Sequence, residues 1–262
     1  MISIEKHLNQ YGLFKFNSFD EIEEYAYLNF SEPSEEELEL LNNRELANPS
    51  SSFLDNLKFY NGVGSSDVLR SIILSEKFGS YVECSKIILN TLKNPKKILD
   101  VGCNIGYLTT WFAKFFVDGL ITGIDNSIES INYAIKMKNK MQVDNVYFQV
   151  MDINNMKFSI KSFDTILDTQ SIYYSDKRGR VFNLIQKIIT DDGMLITVPG
   201  IGELDKIELY LNDIRRSGFI IKSVDFVKVE NLGDISHYPF IVADLNSKPT
   251  NLYLEDKFNK II

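Results

Sequence analysis

Cysteine is scarce in this chain, with Cys84 and Cys103 the only two among 262 residues. That is too few for a disulfide framework, so both are expected to be free thiols. Histidine is just as rare, with His7 and His237 alone. No histidine cluster and no cysteine pair stands at ligand spacing, so no metal centre is expected. The sequence contains no apolar run of 18 or more residues, which excludes a transmembrane helix by length. The opening Met1–His7 lacks the basic start and apolar middle of a signal peptide, so a cytoplasmic location is expected. A basic face is missing as well. The densest basic spot, Lys177-Arg178-Gly179-Arg180, is small. Nucleic-acid binding requires Lys and Arg to neutralise phosphates, so such a partner is not expected.

What is present suits a soluble globular fold. The composition is 44% hydrophobic and 24% charged, enough apolar material for a core. The net charge of −8 lies wholly in residues 1–60, which hold 12 acids and 4 bases. This acidic stretch reads as a solvated helix surface, or else as a lid that attracts a cationic substrate. Residues 19–30 and 34–47 read as helices, the second opened by a capping box at Ser34. Asn48-Pro-Ser-Ser-Ser52 is the expected boundary. A short helix is expected over 53–59, then a flexible loop over Asn61–Ser66, then helical patterns over 67–77 and 80–92.

From Lys96 onward strands and helices alternate. Strands are expected over Lys97–Val101, Leu120–Asp125, Val146–Met151, Phe163–Asp168 and Met194–Val198, the last following an Asp191-Asp192-Gly193 turn. Helices are expected over 107–116, 128–140, 180–189 and 205–217. Alternation of this kind implies a parallel sheet with right-handed crossovers. The last two strands, Phe219–Val229 and Tyr238–Leu245, have no helix between them and must be antiparallel. The expected fold is therefore α/β and Rossmann-like: a seven-stranded, mostly parallel sheet with a terminal antiparallel hairpin and an N-terminal helical extension. Residues 1–60 are assigned to a helical cap or lid, and 61–262 to the α/β domain.

The informative motif is Asp100-Val-Gly102-Cys103-Asn104-Ile-Gly106 after the first strand. Glycines allow a sharp turn and close ligand approach, and the following helix points free amides into the loop. An acid just before the glycines would repel a pyrophosphate. Three more acids, Asp125, Asp152 and Asp168, end the next three strands. Together the four crown the edge at which open α/β sheets bind ligands. This pattern resembles the class I S-adenosylmethionine-dependent methyltransferase family, over about residues 80–246. The family loop is commonly written D-x-G-x-G-x-G, and Asn104 replaces its middle glycine. Asn tolerates left-handed backbone well, so the loop can persist.

The resemblance implies S-adenosyl-L-methionine as cofactor and S-adenosyl-L-homocysteine as product. It implies that Asp100, Gly102, Cys103, Asn104 and Gly106 form the cofactor loop. Cys103 itself reads as a small packing residue. Asp125 would hold the ribose hydroxyls, with Asn126 beside it. Asp152 would take the adenine amino group, with Met151 and Ile153 packed on the ring. Asp168 and Gln170 would hold the methionine portion and face the substrate. Tyr60, just ahead of a glycine-hinged loop, would fold over the cofactor. For catalysis the candidates are Asp168, Tyr173 (or its neighbour Tyr174) and, as a general base, His237 in the loop Glu230–Tyr238. The Asp168-Thr169-Gln170 run lacks a second carboxylate for a magnesium site.

The expected function is methyl transfer to N or O of a small metabolite, in biosynthesis. Two alternatives stay open: a cofactor-binding enzyme of this fold with cyclising or lyase chemistry, and an RNA or protein methyltransferase. Expected partners are a small-molecule acceptor, no nucleic acid and no membrane, with a homodimer allowed.

Overall fold

The computed structural model describes residues 2–44, 51–248 and 254–258. The end of the helix expected over 34–47 and residues 48–50 of the expected boundary lie outside the described residues. Among the described residues, six α-helices precede the sheet: α1 (Ile4–Asn9), α2 (Phe19–Asn29), α3 (Glu35–Asn42), α4 (Phe53–Ser65), α5 (Asp67–Ser75) and α6 (Phe78–Thr91). Serine starts most of them. Ser3, Ser18, Ser34, Ser52 and Ser66 each accept a hydrogen bond from the backbone N–H three residues on, which satisfies one orphan donor of the first turn. At Ser34 the capping box is complete, since the Glu37 carboxylate accepts from the Ser34 N–H at 2.7 Å.

One local expectation is corrected here. Residues 61–66 are not a flexible loop but the last turns of α4 and its cap. The two glycines in this stretch serve close approach rather than hinging. A Cβ on Gly64 would lie 2.4 Å from the backbone nitrogen of Ser130, and one on Gly62 would lie 2.5 Å from a methyl of Leu40. Arg70, almost fully buried, closes this end of α4. It donates to the carbonyls of Val63 and Gly64, pairs with Asp67 and stacks 3.6 Å over the Tyr133 ring.

The sheet then follows with β1 (Lys97–Val101), α7 (Tyr107–Phe115), β2 (Leu120–Asp125), α8 (Ile128–Lys140), β3 (Val146–Val150), β4 (Phe163–Thr169), α9 (Arg178–Ile188), β5 (Ile189–Val198), α10 (Leu204–Arg216), β6 (Ile220–Asn231), β7 (Asp234–Asp244) and a short α11 (Leu254–Phe258). The strand order is β3-β2-β1-β4-β5-β7-β6. Strands β1 to β5 are parallel, and β7 runs antiparallel to both β5 and β6. The expected α/β class and terminal hairpin are both observed. Strand β5 starts earlier than expected, because the Asp191-Asp192-Gly193 segment is absorbed as an irregularity in its pairing with β4. The hairpin is also tighter. Asn231 pairs with Asp234 across Leu232 and Gly233, both at positive φ (51° and 85°), the signature of a two-residue hairpin turn.

Alternating side chains divide the interior in two. Ile98, Ile121, Leu167 and Ile196 face one cluster, which also holds Leu8, Val63, Ile72 and Ile88 of the N-terminal helices. Leu99, Val101, Ile124 and Ile166 face the other, against α9 and α10. Helices α1, α4, α5 and α6 thus share a core with the sheet, and the boundary expected at residue 60 falls inside α4. Among the described residues, no helix is long and apolar enough to cross a membrane.

Candidate active site

Parallel strands carry their C-terminal ends to one edge, and the chain reverses direction across the sheet between β1 and β4. Such a switch point opens a crevice. Here the crevice is a cavity of about 1010 Å³. Of the residues expected from the sequence, Asp100, Gly102, Cys103, Asn104, Asp125, Asn126, Asp152, Ile153, Gln170 and Tyr60 line it.

The loop after β1 is held by backbone conformation. Gly102, Asn104 and Gly106 have φ of +70°, +50° and +74°. Asn104 takes the left-handed conformation and accepts from the Ile105 N–H at 2.8 Å through its own side chain. Gly102 admits no side chain, since a Cβ would sit 2.1 Å from that of Ser171. Gly106 ends the loop behind the cavity, packed on Phe148 and Ala134.

Three carboxylates face the cavity from successive strand ends. Asp125 accepts from the Asn104 and Ser127 amides, each at 2.9 Å, one on each oxygen. Burial raises its pKa, and those amides oppose the shift. Asp152 caps the turn after β3, accepting from the Asn154 N–H at 2.8 Å. Asp100 is only 3% exposed and accepts from the Thr109 hydroxyl at 2.5 Å. Burial lifts its pKa to about 7, and the charges of Asp168 and Asp125 push in the same direction. Cys103 is buried, which holds its thiol well above the ordinary range and leaves it inert.

Five expected residues do not line the cavity. Gly106 is one, for the reason given. Met151 lies just behind, its N–H donating to the Asp125 carbonyl. Asp168 is fully buried, and its carboxylate is consumed internally: it accepts from the Ser171 and Ile172 amides, the Thr197 hydroxyl and, at 3.0 Å, the Tyr210 hydroxyl. It holds the turn after β4 instead of facing a substrate. Tyr173 turns to the core beside α9 and α10, while Tyr174 lines the cavity. His237 stands within β7, opposite Lys228. Alternation sends its neighbours Ser236 and Tyr238 to the cavity and His237 away from it. Its expected role as base assumed a loop, and the strand removes that premise.

Two features escaped the sequence reading. The first is α1. His7 is buried; its Nε2 donates to the Tyr107 carbonyl at 2.8 Å, while its Nδ1 accepts from Lys114 at 3.3 Å. Burial and the Lys114 charge depress its pKa to about 3, so the ring stays neutral. One turn on, the Tyr11 hydroxyl donates to the Gly106 carbonyl at 3.3 Å. Thus α1 and the turn after it grip two successive carbonyls where the loop after β1 becomes α7. The second feature is a wall of tyrosines. Tyr60, Tyr81, Tyr107, Tyr174 and Tyr238 all line the cavity, from α4, α6, α7, the turn after β4, and β7. Only a long-range fold brings these five together.

Residues 92–206 match a family model described as a methyltransferase domain. Among curated relatives, malonyl-acyl-carrier protein O-methyltransferase of Acetivibrio thermocellus is 28% identical over 129 residues, covering 46% of this chain and 44% of that protein. The chain therefore spans less than half of that relative's length in the match. Among solved structures, the (4+2)-cyclase SpnF superposes with a TM-score of 0.54 at 17% identity, over 64% of this chain and 80% of that one. An S-adenosylmethionine-dependent methyltransferase from Aquifex aeolicus gives a TM-score of 0.51 at 17% identity, over 60% and 88%. At such identities the structural likeness speaks for the fold, and the family match falls on the strands that carry Asp100, Asp125 and Asp152. On that match and that geometry, residues 92–206 resemble the methyltransferase domain of the class I S-adenosylmethionine-dependent family.

Proposed function

We propose that this protein transfers the methyl group of S-adenosylmethionine to N or O of a small molecule. The observation that carries this reading is the set of three carboxylates, Asp100, Asp125 and Asp152, on one cavity around a left-handed loop. The donor set suits the cofactor. Asp125 is held by backbone amides alone, which leaves its carboxylate acceptor capacity suited to a ribose diol. Asp100 and its buried surroundings suit a cationic amino group, and Asp152 suits the adenine amine. Gln170 and the Gly102–Asn104 backbone complete the cradle. The cofactor supplies an electrophilic methyl group on a sulfonium. The protein's own work is alignment and exclusion of water. The helices α4 and α6 and the β6–β7 turn roof the cavity and serve that end.

The acceptor is expected to be small. The cavity is flanked by the chain's own N-terminal helices, and its lining mixes acids and bases without a basic stripe that would track a nucleic acid. The family match stops at residue 206 and begins at 92, so it leaves out Tyr60, Tyr81 and Tyr238 of the acceptor wall.

The test is binding of S-adenosylhomocysteine by calorimetry, with thermal unfolding in parallel. Micromolar affinity and a rise in Tm at saturation are expected. No heat and no shift at millimolar ligand would remove the reading.

A further inference from the structure

We propose that the acceptor is an amine, held as a cation in a tyrosine-walled compartment beside the cofactor cradle. This rests on the methyltransferase reading above and names its substrate class. The compartment is built by Tyr60, Tyr81, Tyr107, Tyr174 and Tyr238. The Tyr81 and Tyr107 rings lie 4.6 Å apart, and Tyr60 meets Tyr174 edge-on at 6.3 Å. Aromatic faces and phenol oxygens are both electron-rich, and a desolvated cage of them favours a cation. Glu76 lines the same cavity close to Tyr81, partly engaged by Arg44 at 3.1 Å.

The chemistry points the same way. A hydroxyl acceptor must give up a strongly held proton as it reacts, which calls for a better base than the carboxylates that line the cavity, Asp100 and Glu76 among them. Neither histidine of the chain lines the cavity, since His237 faces away and His7 lies under the loop. Burial pushes the Tyr60, Tyr81 and Tyr107 phenols upward, so none is a phenolate at neutral pH. An amine makes a smaller demand. Its ammonium is far more acidic than an alcohol and passes its proton to the Glu76 carboxylate that lines the cavity, and the freed lone pair then attacks. As the new N–C bond forms, the methyl carbon–sulfur bond breaks with its electron pair left on sulfur. The positive charge moves from sulfur to nitrogen, so it stays inside the cage through the transition state. For an alkoxide or carboxylate acceptor the charge would be quenched, and electron-rich walls would oppose binding.

The test uses a cation and its neutral isostere on the full chain saturated with S-adenosylhomocysteine. Choline and 3,3-dimethylbutan-1-ol have the same shape and differ in charge. Calorimetry should give choline at least about fivefold tighter binding than the alcohol. Tyr174→Leu should cut that ratio to about twofold, while Tyr174→Phe, which keeps the ring, should retain most of it. Equal binding of the two probes, or no binding of either up to 10 mM (roughly the weak end of useful affinity), overturns the amine inference. So does a ratio unchanged in Tyr174→Leu. Binding of S-adenosylhomocysteine itself is measured first, and its absence would instead overturn the methyltransferase reading.

Discussion

Asp100→Asn is the most discriminating substitution, because its effect should change with pH. In the folded chain burial lifts the Asp100 carboxyl from 3.8 to about 7. The native state therefore binds more protons than the unfolded state between those values. Stability attributable to this group is complete below about pH 4 and declines as pH rises to about 7, where the carboxyl ionises in both states. Between pH 5 and pH 8 the decline amounts to about 2.5 kcal/mol, from a folded value of about 7 and an unfolded value of 3.8. Asparagine does not titrate, and its carbonyl can still accept from Thr109. All other titrating groups are common to both proteins and cancel. The stability difference between Asp100→Asn and wild type should therefore grow by about 2.5 kcal/mol from pH 5 to pH 8, or roughly 5–10 °C in Tm. Urea unfolding at the two pH values measures it directly. In wild type the gain from bound S-adenosylhomocysteine should also rise with pH, since its ammonium favours the ionised carboxyl. The variant should lose that rise. A difference that stays constant across the range would refute the account of Asp100 as a carboxyl kept protonated until a cation arrives.

Further outcomes follow from other contacts. Asp125→Ala removes both acceptors offered to a ribose and should weaken S-adenosylhomocysteine by roughly 100-fold, from hydrogen bonds of about 1.5–3 kcal/mol each; a loss under threefold by calorimetry would refute that role. Tyr11→Phe deletes only the bond to Gly106 and should cost about fivefold in cofactor affinity, for a bond worth about 1 kcal/mol, with an acceptor KM that does not move; a changed acceptor KM at constant cofactor affinity would contradict the clamp. Asp168→Ala removes the acceptor shared by the Ser171 and Ile172 amides and the Ser171, Thr197 and Tyr210 hydroxyls and should destabilise the fold by about 3–5 kcal/mol, read by urea unfolding; full stability with lost turnover would restore a direct catalytic part. Gly64→Val must drive α4 off α8 and should lower Tm by several degrees, at about 2–4 °C per kcal/mol; an unchanged Tm with altered kcat would favour a hinge after all.

Much of this protein is written locally. The alternation of short apolar strands with helical segments determines the parallel sheet, because each crossover must return over a face. The missing crossover helix after residue 219 determines the antiparallel hairpin. Gly102, Asn104 and Gly106 are legible because a left-handed loop restricts residue type at each step, and Asp100, Asp125 and Asp152 because strand ends share one edge. What tertiary structure alone decided concerns side-chain direction and contact between distant segments. Asp168 carries the same strand-end signal as Asp125, yet Thr197 and Tyr210, 29 and 42 residues away, enclose it. His237 lost its expected place when the hairpin proved tighter, since a strand sends alternate residues to opposite faces. Gly62 and Gly64 look like hinges in sequence and become contact points only once α8 lies against α4. The tyrosine wall draws on positions 60 to 238. Its members are ordinary residues locally, and only packing converts them into one electron-rich surface.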